Sequence, residues 1–218
     1  MRHRPSVAVV WALAAGLAVS ALVASNMGFL VWRTLEGPGP NSPTGTNTLA
    51  LPYQRIPGLN NASDLMTDIG LANVGNVQRF LEATTGLQVY TGRKASGPDY
   101  PLAAGECYFV RMNATANYLI GGSSAPGLAL SLDPPGPGNP SGTNFIVLPY
   151  HRTAATASQL MADIGFANVV NVQRFLAPTT GLQVYTGRKA SGPDFALSPT
   201  ECYFVRMSAF VAYVPSHY

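Results

Sequence analysis

Hydrophobic and polar positions change rhythm several times along this chain. Residues 6–24 contain no charge at all and follow the basic start MRHRP. From residue 29 the apolar positions fall into short runs, which predict β-strands, broken by clusters of Gly, Pro, Asn, Ser and Thr. Residues 29–35 read as a strand ahead of EGPGPNSPTGTN, and Leu128, Leu130 and Leu132 alternate ahead of DPPGPGNPSGTN. Proline at that density removes backbone donors and stiffens the chain, so both connections are expected to be spacers or edges outside the core. TLALPY and FIVLPY then read as buried strands that stop at proline.

A helix with clear punctuation follows. Thr156 with Gln159 three positions later forms a capping-box pattern, Leu160, Met161 and Ile164 share one face, and Gly165 ends the run. Asn61, Asp64, Leu65, Met66, Ile69 and Gly70 repeat that pattern. VQRFL and LQVYTG predict a hairpin reversing at Thr85-Gly86, with Val77, Arg79 and Leu81 on one face and Gln78 and Phe80 on the other. In CYFVRM both faces carry large apolar groups, which predicts a central strand. Residues 118–120 and 212–214 are expected to add a last edge strand.

These elements occur twice. Residues 84–99, TTGLQVYTGRKASGPD, return unchanged at 179–194, and 62–112 aligns on 157–207 with 40 of 51 positions identical. Upstream the offset grows from 95 to 97, where GTNTLALPY matches GTNFIVLPY, so two residues are missing from the second copy before Ala157. Surface loops tolerate such changes, which marks 54–61 as a loop. The expected fold class is α+β and β-dominated: two tandem copies of a small module, each with five or six short strands and one short helix. An N-terminal hydrophobic helix precedes them. The boundaries are 1–25 for a signal peptide or membrane anchor, 26–125 for the first module and 126–218 for the second.

Composition narrows the function classes. Gly plus Pro total 40 residues and charged residues make up 11%, which suits turn-rich β architecture. The formal charge is +3, falling to +1 if Arg2 and Arg4 leave with a signal peptide. No basic face of the kind that phosphate backbones require is built, so nucleic acid is not expected as a partner. The basic start and uncharged run resemble a secretory signal or an uncleaved anchor. Both place the repeats outside the cytoplasmic membrane, secreted or at the cell surface or periplasm.

The most polar part of the repeat is the loop 93–99 and its copy 188–194. Arg93, Lys94 and Asp99, with Arg188, Lys189 and Asp194, stand beside Tyr90 and Tyr185. Two cations next to Gly-facilitated backbone donors could hold an acidic ligand such as a uronic sugar or a partner carboxylate. The structural alternative pairs Asp99 with Arg93 or Lys94 in a solvated turn. Lys94 and Lys189 are the only lysines in the chain.

Cys107 and Cys202 occupy equivalent strand positions. A disulfide would have to join the two repeats across a local pseudo-twofold axis; a buried free thiol at each site is the plainer reading. No metal site or cofactor is expected, since His151 has no counterpart in the other module. HExxH, GxSxG and P-loop patterns are absent from the sequence, and the acidic residues are scattered, so no catalytic residues are assigned. Asp68, Asp163, Glu106 and Glu201 read as solvated or capping groups.

GTNxxxLPY, an ASxL helix ending in Gly, VxRF, a Tyr-bearing return strand, and DFxL before the ECYFV strand together resemble a tandem module of large bacterial exported proteins with no assigned activity. The cysteines stand where glycine is usual in that module, and Pro199-Thr200 replaces Ala104-Gly105 in the second copy. The resemblance implies an extracellular structural or interaction module and transfers no functional residues. The expectation is a non-enzymatic exported protein that meets other surface proteins, polysaccharide or copies of itself. Its contact with membrane would be only through an uncleaved N-terminal segment. The alternative is a carbohydrate- or polymer-binding protein that uses the two RKASGPD loops.

Overall fold

The computed structural model describes residues 28–52, 54–55, 59–92, 97–123, 128–187 and 192–216. The expected N-terminal helix lies outside them. Among the described residues the chain is β-dominated, with two short helices and four small antiparallel sheets that form two similar pairs.

The first copy runs β1 (Phe29–Leu35), β2 (Thr46–Ala50), β3 (Gln54–Arg55), α1 (Ala62–Ile69), β4 (Val74–Leu81), β5 (Gly86–Tyr90), β6 (Cys107–Met112) and β7 (Ala116–Ser123). The second runs β8 (Leu130–Leu132), β9 (Thr143–Val147), α2 (Ala157–Ile164), β10 (Val169–Leu176), β11 (Gly181–Tyr185), β12 (Cys202–Met207) and β13 (Val211–Tyr213). The main sheets have strand orders β2-β6-β4-β5 and β9-β12-β10-β11, so the CYFVRM strand is interior in both, as its two apolar faces predict. Registers correspond: Val77 faces Val110 and Tyr90, while Val172 faces Val205 and Tyr185.

Each helix is set by its caps. Asp64 accepts from the backbone N–H groups of Asn60 and Asn61 at 2.9 and 3.0 Å. Thr156 accepts from Gln159 N–H at 3.3 Å, and the Gln159 side chain accepts from Ala155 N–H at 2.7 Å. Gly70 and Gly165 end the helices at φ 108° and 107°, a region that side chains other than glycine's rarely enter. Two turns of helix are unstable alone. They hold because Leu65 and Met66, or Leu160 and Met161, are buried against the sheet and ribbon of their own copy. Burying each leucine contributes about 2 kcal/mol.

The structure corrects four expectations. Among the described residues the first copy has seven strands and the second six. Residues 118–120 and 212–213 are strands as expected, but β7 is the middle strand between β1 and β3, and β13 pairs with β8, both apart from the main sheets. Within 54–61, expected as a loop, Gln54 and Arg55 pair with Ser123 and Gly122. Finally, the Gly/Pro connections are built into the fold. Asn47 accepts from Glu36 N–H and donates to Glu36 O, both at 2.9 Å, and Asn144 does the same for Asp133 at 2.8 and 3.0 Å. A buried asparagine amide thus replaces the strand partner that proline cannot provide.

Candidate functional site

The polar loops come first. Arg93, Lys94, Arg188 and Lys189 lie outside the described residues. Tyr90 and Tyr185 are half-buried and pack against the core of their own copy. Asp99 is exposed, as in a solvated turn, and its carboxylate accepts from Ser63 N–H at 3.1 Å and Ser63 Oγ at 2.5 Å. Asp194 binds Ser158 in the same way at 3.0 and 2.6 Å. Both serines occupy the second position of a helix, where free backbone donors and the helix dipole favour an anion. Burial would raise the Asp194 pKa, but hydrogen bonds from Ser158, Thr156 and the Phe195 backbone outweigh it and hold the group below the usual carboxylate range. Each aspartate is held by its own copy's helix, so the structure does not bring Asp99 and Asp194 into one site.

The other acids are also engaged. Asp68 accepts from Tyr118 Oη at 2.7 Å and Asp163 from Tyr213 Oη at 2.6 Å, which fastens each helix to its ribbon. Asp163 also takes the Ser216 hydroxyl and backbone N–H. Glu106 and Glu201 accept from Tyr108 and Tyr203 at 2.5 and 3.0 Å, while those phenol oxygens accept from Ala103 and Ser198 N–H. Burial, followed by the neighbouring glutamate, pushes both tyrosine pKa values well up, so they stay neutral donors. All four acids are therefore structural anchors, and Asp68 and Asp163 stay exposed to solvent as the sequence suggests.

The most elaborate surface lies between the copies. Cys107 and Cys202 are joined as a disulfide, with Cα atoms 5.8 Å apart, which corrects the free-thiol reading. The bond is reached because the two interior strands turn the same face towards each other. Tyr108, Val110 and Met112 point into their own core, which leaves Cys107 and Phe109 on the opposite face. Around the sulfurs Phe145 stacks on Phe204 at 4.2 Å and on Phe109 at 5.2 Å. Phe80 stands edge-on to Phe204. Phe80 sits on the otherwise polar face of its strand; that single aromatic was the sequence signal for a second covered surface.

Polar links cross the same seam. Arg33 of the first copy donates to Thr200 O and, at 3.4 Å, to Thr48 Oγ1. Burial lowers the pKa of its guanidinium, with Glu201 and then Tyr203 acting in the opposite sense. Glu82 accepts from Phe145 N–H at 3.2 Å. Burial raises the Glu82 carboxyl pKa, and that hydrogen bond works against the rise. Where Pro199-Thr200 replaces Ala104-Gly105 the turn hydrogen bond is kept, with Glu201 N–H on Ser198 O as Glu106 N–H is on Ala103 O. A small, mainly apolar cleft opens at the seam, lined by the Leu-Pro pairs of both copies with Phe29 and Tyr150, whose rings stack at 4.7 Å.

Among the described residues, no three His, Cys, Asp or Glu side chains gather as metal ligands would. No described helix is long and apolar enough to cross a membrane. Comparison of the chain with protein-family models, with curated proteins and with solved structures finds no match.

Proposed function

We propose that this chain is an exported structural or interaction protein of the cell surface or extracellular matrix, built as a rigid two-module unit. The observation that carries this reading is the seam. Two copies of one sheet face each other through an aromatic cluster closed by the Cys107–Cys202 disulfide. Disulfides persist in oxidising compartments outside the cytoplasm, which agrees with the basic, then uncharged, N-terminal sequence. The acids that chemistry would draw on hold helices, ribbons and tyrosines in place, which favours a scaffold role. The resemblance to a tandem module of bacterial exported proteins points the same way.

Fractionation of the source cells tests the reading, with thiols alkylated before lysis. The expected result is an oxidised chain in the surface or extracellular fraction. Recovery of a cytoplasmic chain with both cysteines alkylated would overturn it.

A further inference from the structure

The two copies are alike at 40 of 51 aligned positions, so the surfaces on which they part are informative. One such surface is the outer face of the β1/β7 ribbon. Trp32 and Leu119 are register partners there and Leu30 lies two residues along, with 69%, 39% and 68% of their surfaces exposed. The remaining outward positions of β1 and β7 are Thr34, Asn117, Gly121 and Ser123, so these two strands present no charge on that face. In the second copy Ala129 stands in the place of Trp32 and Ala212 in that of Asn117, and β8 has three residues against seven in β1. Scattered exposed apolar residues are ordinary, but a contiguous uncharged group containing tryptophan marks a contact surface.

Its place in the chain indicates what it touches. Four residues separate the uncharged run 6–24 from β1. At full extension Leu30 therefore lies within about 20 Å of the end of that run. Nineteen uncharged residues are about enough to cross the hydrocarbon layer, and tryptophan is favoured at headgroup level beside such a segment.

We infer that the outer face of the β1/β7 ribbon rests on the outer surface of the membrane, with Trp32 and Leu30 at headgroup depth. Three apolar side chains bind lipid weakly by themselves, so the face acts together with the segment and sets the orientation of the first module. The inference rests on the anchor form of the export reading, in which residues 6–24 stay in the membrane.

The full-length chain allows a direct test, because Trp11 and Trp32 are its only tryptophans. In the Trp11→Phe variant, reconstituted into phosphatidylcholine vesicles, Trp32 emission is expected to shift to the blue and to be quenched by lipids brominated near the headgroup. If the chain floats with the vesicles while Trp32 keeps the emission of a water-exposed indole, the inference fails and the export reading stands. A chain that does not float with vesicles overturns the inference and leaves export to the fractionation test. A blue shift that grows with protein concentration at fixed lipid assigns the face to a second copy and also overturns the inference.

Discussion

Phe80 stands edge-on to Phe204, with ring centroids 5.6 Å apart and planes at 81°. Displaced by 95 residues, Phe175 meets Phe109 at 5.6 Å and 82°. Such reciprocity is the mark of an isologous contact, in which one surface patch pairs with its own copy. The seam is therefore a homodimer-like interface drawn inside one chain. Phe145 breaks the symmetry, because its counterpart is Thr48 and only the second copy contributes a ring at that place.

The aromatic pairs give the first prediction. A double-mutant cycle with Phe80→Leu and Phe204→Leu should show a coupling of about 0.5–1.5 kcal/mol by denaturant unfolding. The cycle on Phe175 and Phe109 should agree with it to within about 0.5 kcal/mol. Couplings near zero at both pairs would mean that the rings do not meet.

Tyr100 is buried and its hydroxyl has no hydrogen-bond partner among the described residues, although Arg79 lies 5.1 Å from the centre of its ring. The second copy has Phe195 at this position, with Arg174 at 4.9 Å. Removing an unsatisfied buried hydroxyl should relieve its desolvation cost, so Tyr100→Phe is expected to stabilise the protein by about 1 kcal/mol. Calorimetric melting would register this as a higher Tm, and a clear fall would argue that the hydroxyl has a role.

Asp99→Ala and Asp194→Ala should each destabilise by about 1 kcal/mol, as the loss of a helix-terminal acceptor does. Ser63→Ala should give a smaller loss, because the backbone donor survives. If either aspartate instead serves a ligand, its replacement will leave melting unchanged and abolish binding to acidic polysaccharide on an array.

Stability should fall in acid. Asp163 and Asp194 have folded pKa values below the ordinary range. For Asp163, burial acts upward, and the Ser216 and Tyr213 hydrogen bonds outweigh it. A depressed carboxylate contributes stability above its unfolded pKa, about 3.9, and that contribution is lost as pH falls through the folded value. Urea titrations between neutral pH and the low-pH range should show the loss, and Asp163→Asn should reduce the slope.

Much of this architecture was legible in the residues. The duplication, the interior CYFVRM strand, the helix caps and the 77–91 hairpin followed from periodicity and turn chemistry, which are local. What escaped depended on partners far along the chain. Asp99 reads as a loop charge until the fold brings Ser63 to it, and Tyr118 gives no hint that it will reach Asp68 on the helix. The Gly/Pro connections look like spacers because proline cannot pair; the buried side chains of Asn47 and Asn144 and the Gly39–Ser42 and Gly136–Asn139 backbone bridges make up for it. Arg33 has Leu130 as its counterpart, so comparison of the copies could not reveal it as a link across the seam.

Two like sheets are held face to face across Cys107 and Cys202, and peptide mapping of the unreduced monomer tests this most directly. Digestion under denaturing conditions with free thiols blocked should yield one cross-linked pair, the Cys107 peptide with the Cys202 peptide, and no blocked cysteine. Two blocked thiols, or a link between separate chains, would contradict it.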